Sequence, residues 1–230
     1  STPKPSSAAS DVYKRQVYFI SVPIIVGIIL GIYVTSNLVS DSINDQLLLT
    51  NTQLMKNGSP EMGLANAPIS IVEFGDYQCT FCYKFHQNTL NQIKMEYIDT
   101  GKVNYVFRDF PLNGPDSVLV AEASYCAHDQ GKYWQYHNIV FKNWAGENTG
   151  WVNMDSIVEF ATQVDLDIFE FNTCITDHKY YQKVIDNENY AMMIGINATP
   201  TFLIFDDKQF IKIIGAQQLE TFQNALNQLG

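Results

Sequence analysis

A chain of 230 residues with 46% apolar content is long enough for one anchor and one domain with a sizeable core. A formal charge of -10 and a pI near 4.7, with no basic patch, exclude nucleic acid as an expected partner. The four cysteines are an even number, which suits an oxidising compartment.

The first sixteen residues fall outside any fold argument. Ser10 to Gln16, SDVYKRQ, is the translation of a transposon end used in sequencing-library preparation, so 1–16 reads as a processing scar. Lys14 and Arg15 then carry no topological information. Val17 to Val34 is eighteen residues without a charge, about the shortest run that spans a bilayer as a helix. Residues 17–36 are expected to form an uncleaved transmembrane anchor. A cleavable signal peptide, cut after small residues near Val34 and Ser36, is the competing reading, and both imply export. Gly27 and Gly31 form a GxxxG, a weak signal for helix pairing. From 37 to 65 the composition turns polar. Leu38, Ile43, Leu47, Leu48 and Leu54 suggest a short amphipathic helix, followed by the loop KNGSPEMGLANAP. This segment reads as a linker lifting the domain off the membrane, on the outer side because no Lys or Arg occurs between Val17 and Lys56.

Ile69 to Phe74 is a β-branched apolar run that ends at Gly75-Asp76, the pattern of a buried strand reaching a turn. Cys79 and Cys82 follow at once, and Cys82, Phe85, Thr89, Ile93 and Tyr97 then recur at helical spacing. The two cysteines therefore open a helix fed by a strand. Unpaired N–H groups and the positive end of the helix favour an anion there, which predicts a readily ionised Cys79. Cys82, three residues on, is placed to resolve a mixed disulfide. A zinc half-site or a structural disulfide is the alternative, the metal kept open by His86, which could share a helical face with the pair. Cys126 and Cys174 are isolated singles and supply no second pair.

Lys102 to Phe107 is a second strand, so strand, helix and strand make a βαβ unit with a parallel sheet. From Gly114 to Gly195 the pattern is helical. Helices are predicted over Ser117–Gln130 and Lys132–Asn143, then from caps at Asp155, Asp167 and Asp177. The aromatic residues of this block read as core. Thr201 to Phe205 and Phe210 to Ile214 form a hairpin, and Gln218 to Leu229 is a closing helix. The reading is an α/β layer, residues 66–113 and 196–230, interrupted by an all-helical insertion at 114–195.

The succession IVEFGDYQCTFC, YVFRDFPL, AEASYCAHDQGKYWQYHN and GINATPTF resembles the landmarks of the DsbA-like thiol-disulfide oxidoreductases, in particular their membrane-anchored, BdbD-like and archaeal branch. The resemblance spans roughly 66 to 230. It implies a thioredoxin fold with an inserted helical domain, and exchange chemistry at Cys79 and Cys82 that needs no organic cofactor and no metal. It further implies a cis Pro200 facing the cysteines, with Thr199, Pro200, Thr80 and Phe81 meeting the substrate and Thr80-Phe81 tuning Cys79. Glu73 matches a partly buried acid that relays the proton of Cys82, while a strand-end glutamate reaching solvent is the plainer reading. Asp76 reads as a turn residue. Some members carry a second, non-catalytic disulfide at the places of Cys126 and Cys174, and that bond is expected here. The implied partners are exported unfolded proteins with free cysteines and a membrane quinone reductase of the DsbB or vitamin K epoxide reductase type. The implied location is extracytoplasmic, periplasmic or on the cell surface. A copper or zinc carrier, a disulfide reductase or isomerase, and a redox-inert binding scaffold are the rival readings.

Overall fold

A computed structural model of the chain describes residues 51–230. The scar at 1–16, the anchor at 17–36 and the first part of the linker lie outside the described residues. Among the described residues no helix is long and apolar enough to cross a membrane.

Four strands form one mixed sheet in the order β2-β1-β3-β4. β1 (Ile69–Gly75) runs parallel to β2 (Val103–Asp109) and antiparallel to β3 (Thr201–Phe205), which pairs with β4 (Phe210–Ile214) as a hairpin. β1 is central, with Glu73 facing Phe107 on one side and Phe202 on the other. Because helices cover both faces, β1 reads as a nearly continuous apolar run rather than an alternating one. Alternation still sets direction. Ile69 and Ile71 join the larger core with Tyr105, Phe107, Phe202 and Ile204, while Val72 and Phe74 join a smaller core with Val106, Phe110, Leu203 and Phe205. By the same period of two, Glu73 points into the larger core, where it has no exposed surface.

Between β1 and β2, residues 80–98 are helical throughout and form α1, in which His86–Leu90 and Lys94–Ile98 make wider, π-type turns. Between β2 and β3 lie α2 (Pro115–Asp129), α3 (Tyr133–Lys142), α4 (Met154–Gln163), α5 (Ile168–Thr176) and α6 (Tyr181–Met193), and α7 (Leu219–Leu229) follows β4. These match the predicted elements, with two corrected caps. Asn153, not Asp155, opens α4: its side chain accepts from Ser156 N while the Ser156 hydroxyl accepts from Asn153 N. Asp167 caps α5 as expected, through Glu170 N. Asp177 instead ends α5, and α6 begins after Tyr180 without a side-chain cap.

The end of the segment read as a linker is built into the fold. Ser59 N donates to Phe107 O, and Met62 and Tyr105 exchange backbone hydrogen bonds, so residues 59–62 cover the outer edge of β2. The approach is so close that a Cβ on Gly58 would overlap Val106. Leu54 is buried in the smaller core. The guanidinium of Arg108, 2% exposed, reaches across: it donates to the Gln53 and Leu54 carbonyls and twice to Asn187 Oδ1, and lies over the Tyr190 ring at 4.1 Å. The pattern of scattered leucines before Lys56 did not reveal this packing, because the partner that fixes it is one arginine 54 residues further along the chain.

Cys126 of α2 and Cys174 of α5 form a disulfide, as the resemblance implied, with the two residues 48 positions apart. In the chain-entropy account a loop of that length stabilises by about 4 kcal/mol. Urea unfolding of the Cys126→Ala/Cys174→Ala variant is expected to show a loss of about 2–4 kcal/mol, and an unchanged midpoint would refute a stabilising bridge. Asn187→Ala, which strips two acceptor contacts from a buried cation, is expected to cost about 2–3 kcal/mol in the same assay.

Candidate functional site

Cys79 and Cys82 are both free thiols at the start of α1, where Cys79 is the cap residue with extended backbone. Cys79 keeps 5% of its surface and Cys82 none, so only the first sulfur is approachable. Around it Phe81 is 55% exposed and Thr80 and Thr199 are half-buried. Across from it the Thr199–Pro200 bond is cis, and the Cys79 thiol donates to the Thr199 carbonyl at 3.4 Å. The structure therefore gathers Cys79, Cys82, Thr80, Phe81, Thr199 and Pro200 into one place.

The environment separates the two sulfurs. Cys79 is lowered from an ordinary value of 9.0 to about 7, chiefly because the Cys82 thiol hydrogen-bonds to it. Burial opposes this, while the Thr199 side chain and the Cys82 and Phe81 backbone N–H groups assist. Cys82 is pushed well above the ordinary range, first by burial, then by its hydrogen bond to Cys79 and by the nearby charges of Cys79 and Glu73. Above about pH 7 the pair holds one proton, and it sits on Cys82.

Glu73 lies behind Cys82 on the buried face of β1. It accepts a hydrogen bond from the Tyr105 hydroxyl, and its Oε2 is 3.6 Å from His86 Nε2, while Oε1 has no partner. This excludes the plainer reading of a strand-end glutamate in solvent. His86 itself stacks on Phe141 with ring centroids 3.9 Å apart. Its nitrogen faces Glu73, and among the described residues no cluster of three or more His, Cys, Asp or Glu is arranged to hold a metal.

Three supports of the site escaped the sequence reading. Asp76 is more than a turn residue: 1% exposed, it accepts from Gln78 N, Asn113 N and the Ser117 hydroxyl, tying the turn before Cys79 to the start of α2. Burial raises its pKa, and those three donors hold it down. Gln78, fully buried, donates to Ser117 Oγ and accepts from Trp144 Nε1 through its carbonyl. Glu147, from the loop after α3, accepts from Thr80 N at 2.7 Å. Trp144 carries an aromatic signal that reads equally well as core, and Glu147 carries none.

The family model described as Thioredoxin matches residues 56–228. The chain is 27% identical over 154 residues to the disulfide bond formation protein D of Bacillus subtilis, covering 65% of this chain and 68% of that one. Among solved structures, alpha-DsbA1 of Wolbachia pipientis matches with a TM-score of 0.65 and 33% identity, covering 74% of this chain and 89% of that one. Oxidised BdbD from Bacillus subtilis matches with a TM-score of 0.67 and 24% identity over 76% of this chain and 93% of that one, a likeness of fold.

Alkylation of the reduced protein followed against pH is expected to be half-maximal near pH 7, as the anion forms above that pH and is lost below it. Cys82→Ala removes the largest stabilising contact and is expected to move the midpoint up, with Cys82→Ser, which keeps a hydroxyl donor, moving it less. A midpoint that does not respond to either change would contradict the sulfur-sulfur hydrogen bond.

Proposed function

Since the chain belongs to the thioredoxin family, as a DsbA-like protein disulfide oxidoreductase, we propose that it forms disulfides in exported proteins outside the cytoplasm. The observation that carries the reading is the pairing of one approachable, acidified sulfur with one buried, protonated sulfur opposite Thr199 and Pro200. In the oxidised protein a substrate thiolate attacks Cys79 Sγ. A substrate–Cys79 disulfide forms, the Cys79–Cys82 bond breaks, and Cys82 leaves as a thiolate that takes up a proton. A second substrate thiolate then attacks the substrate sulfur and expels Cys79 as the leaving group. The substrate gains a disulfide and loses two electrons, which the Cys79/Cys82 pair receives. A membrane quinone reductase of the DsbB or vitamin K epoxide reductase type reoxidises the pair. Glu73 takes and returns the Cys82 proton, a role supported by its burial, its unpartnered Oε1 and its charge beside Cys82. The Thr199 main chain pairs with the extended substrate segment, while Thr80 and Phe81 form the wall it lies against.

Location outside the cytoplasm rests on the uncharged run of Val17 to Val34 as a membrane tether and on the Cys126–Cys174 bond, which an oxidising compartment preserves.

A disulfide reductase is the second reading, favoured by the same Cys79 value of about 7, which is closer to thioredoxin than to DsbA. The potential separates them. Oxidase function predicts a value clearly above thioredoxin's, between about -270 and -120 mV, together with oxidation of a dithiol peptide that Cys79→Ser and Cys82→Ser each abolish, because neither variant can hold the Cys79–Cys82 disulfide. A potential at thioredoxin's level with faster insulin reduction than peptide oxidation would establish the reductase instead.

A further inference from the structure

The first turn of α1 presents a small number of backbone N–H groups, and each can be accounted for. Tyr83 N donates to Cys79 O within the helix. The Phe81 and Cys82 N–H groups favour the Cys79 anion. Thr80 N, the donor next to the reactive sulfur, goes to the Glu147 carboxylate at 2.7 Å, from 67 residues away.

The loop that brings Glu147 there is held on several sides. The Trp144 ring stacks on Tyr83, with centroids 4.5 Å apart and planes 12° from parallel, and Trp144 Nε1 donates to Gln78 O. Asn148 N donates to Gln78 Oε1, and Trp151 Nε1 closes the loop onto Gly146 O. Asn148 itself adopts a left-handed conformation with φ 53°. Glu147 is thus carried by a loop whose neighbours on both sides are pinned to the residue preceding Cys79. The other charges about the helix start are Lys84, whose Nζ lies 5.2 Å from the Phe81 ring centre, and the buried Glu73 and Asp76.

A carboxylate at the positive end of a helix is favourable, and so is a thiolate there, but two anions at one helix start repel. We propose that Glu147 is a positioning residue that competes with the Cys79 thiolate for the start of α1, holding the Cys79/Cys82 pair less oxidising than the helix alone would make it. The inference rests on the exchange chemistry proposed above. In the disulfide form Cys79 carries no charge and Glu147 caps the helix without opposition. In the dithiol form, once Cys79 ionises, the two negative charges confront each other. Glu147 therefore stabilises the oxidised protein relative to the reduced one, which lowers the reduction potential.

The test compares the full chain with Glu147→Gln, which keeps an oxygen acceptor for Thr80 N and removes only the charge, and with Glu147→Lys, which reverses it. Thiolate absorbance against pH reads Cys79, and equilibration with glutathione reads the potential. At low ionic strength E147Q is expected to lower the Cys79 midpoint by about 0.2–0.7 unit and to raise the potential, with E147K moving both further in the same direction. Because Glu147 is exposed, the differences are expected to shrink at about 1 M salt, where screening acts within a few ångströms. Midpoints and potentials of both variants equal to the parent's would overturn the inference, as would a shift that persists at high salt, since that would report altered loop packing rather than charge. The absorbance reads the thiolate whether or not the protein oxidises substrates, so a parent chain that fails to exchange disulfides would defeat the functional reading and leave this one standing.

Discussion

The site depends on how a few hydrogen-bond donors at the start of α1 are shared. A helix beginning has more N–H groups than its own carbonyls can use, and here a strand delivers two cysteines and one loop delivers a carboxylate to the same group of donors. Thr80 N goes to Glu147, while the Phe81 and Cys82 N–H groups favour the Cys79 anion. What the first sulfur gains from the backbone is therefore limited by what the acid has already claimed. Cys79 is lowered to about 7 with the Cys82 thiol as the largest contribution and burial opposing it.

The helical block between β2 and β3 is part of that arrangement rather than an appendage. The first turn of α2 carries Ser117, which with Asn113 is bound to Asp76 ahead of the cysteines, and the loop after α3 returns to cover Gln78 and Thr80. Its aromatic side meets the sheet where His137 and Phe141 pack on His86 and Phe107. Burial among these rings holds the His137 pKa well below its ordinary value, with the His86 charge acting in the same sense. Behind this ring-packed seam the carboxylate of Glu73 meets Tyr105 and His86.

The sheet and its order of elements were legible because local signals coincide with tertiary demand. β-branched runs at Ile69 and Lys102, turn residues after each, and a hairpin around Asp206 all point the same way. The pair at 79 and 82 was legible for the same reason, since a helix following a strand needs no distant partner to be recognised. What escaped was long-range. Residues 59–62 carry no strand pattern because they pair with β2 through only a few backbone contacts, and the preceding Gln53 and Leu54 are held by Arg108. Asp76 looks like any turn aspartate until the donors of Asn113 and Ser117 are brought to it. Glu147 sits in a polar loop, where an acidic residue is unremarkable in sequence, and only the fold reveals that it faces Thr80 N. The cap of α4 slipped by two residues because Asn153 and Asp155 are both good cap residues, and the reciprocal bond to Ser156 decides between them.

The asymmetry of the two sulfurs also bears on direction. In a disulfide joining substrate to Cys79, two thiols compete to break the bond: a second substrate thiol, which oxidises the substrate, and Cys82, which returns the substrate reduced. Expulsion of Cys79 is eased by its lowered value, because the more acidic thiol is the better leaving group. Attack by Cys82 requires its anion, which burial disfavours most, with the charge of Glu73 acting in the same sense. Glu73 thus acts on the second sulfur through its charge, which keeps the proton on Cys82. While Cys82 stays protonated, the return path is slowed and the substrate thiol has time to arrive. A modestly acidified Cys79 can then sustain net oxidation so long as Cys82 remains the harder sulfur to ionise, which makes the difference between the two sulfurs, rather than the value of either, the quantity that favours oxidation over reduction.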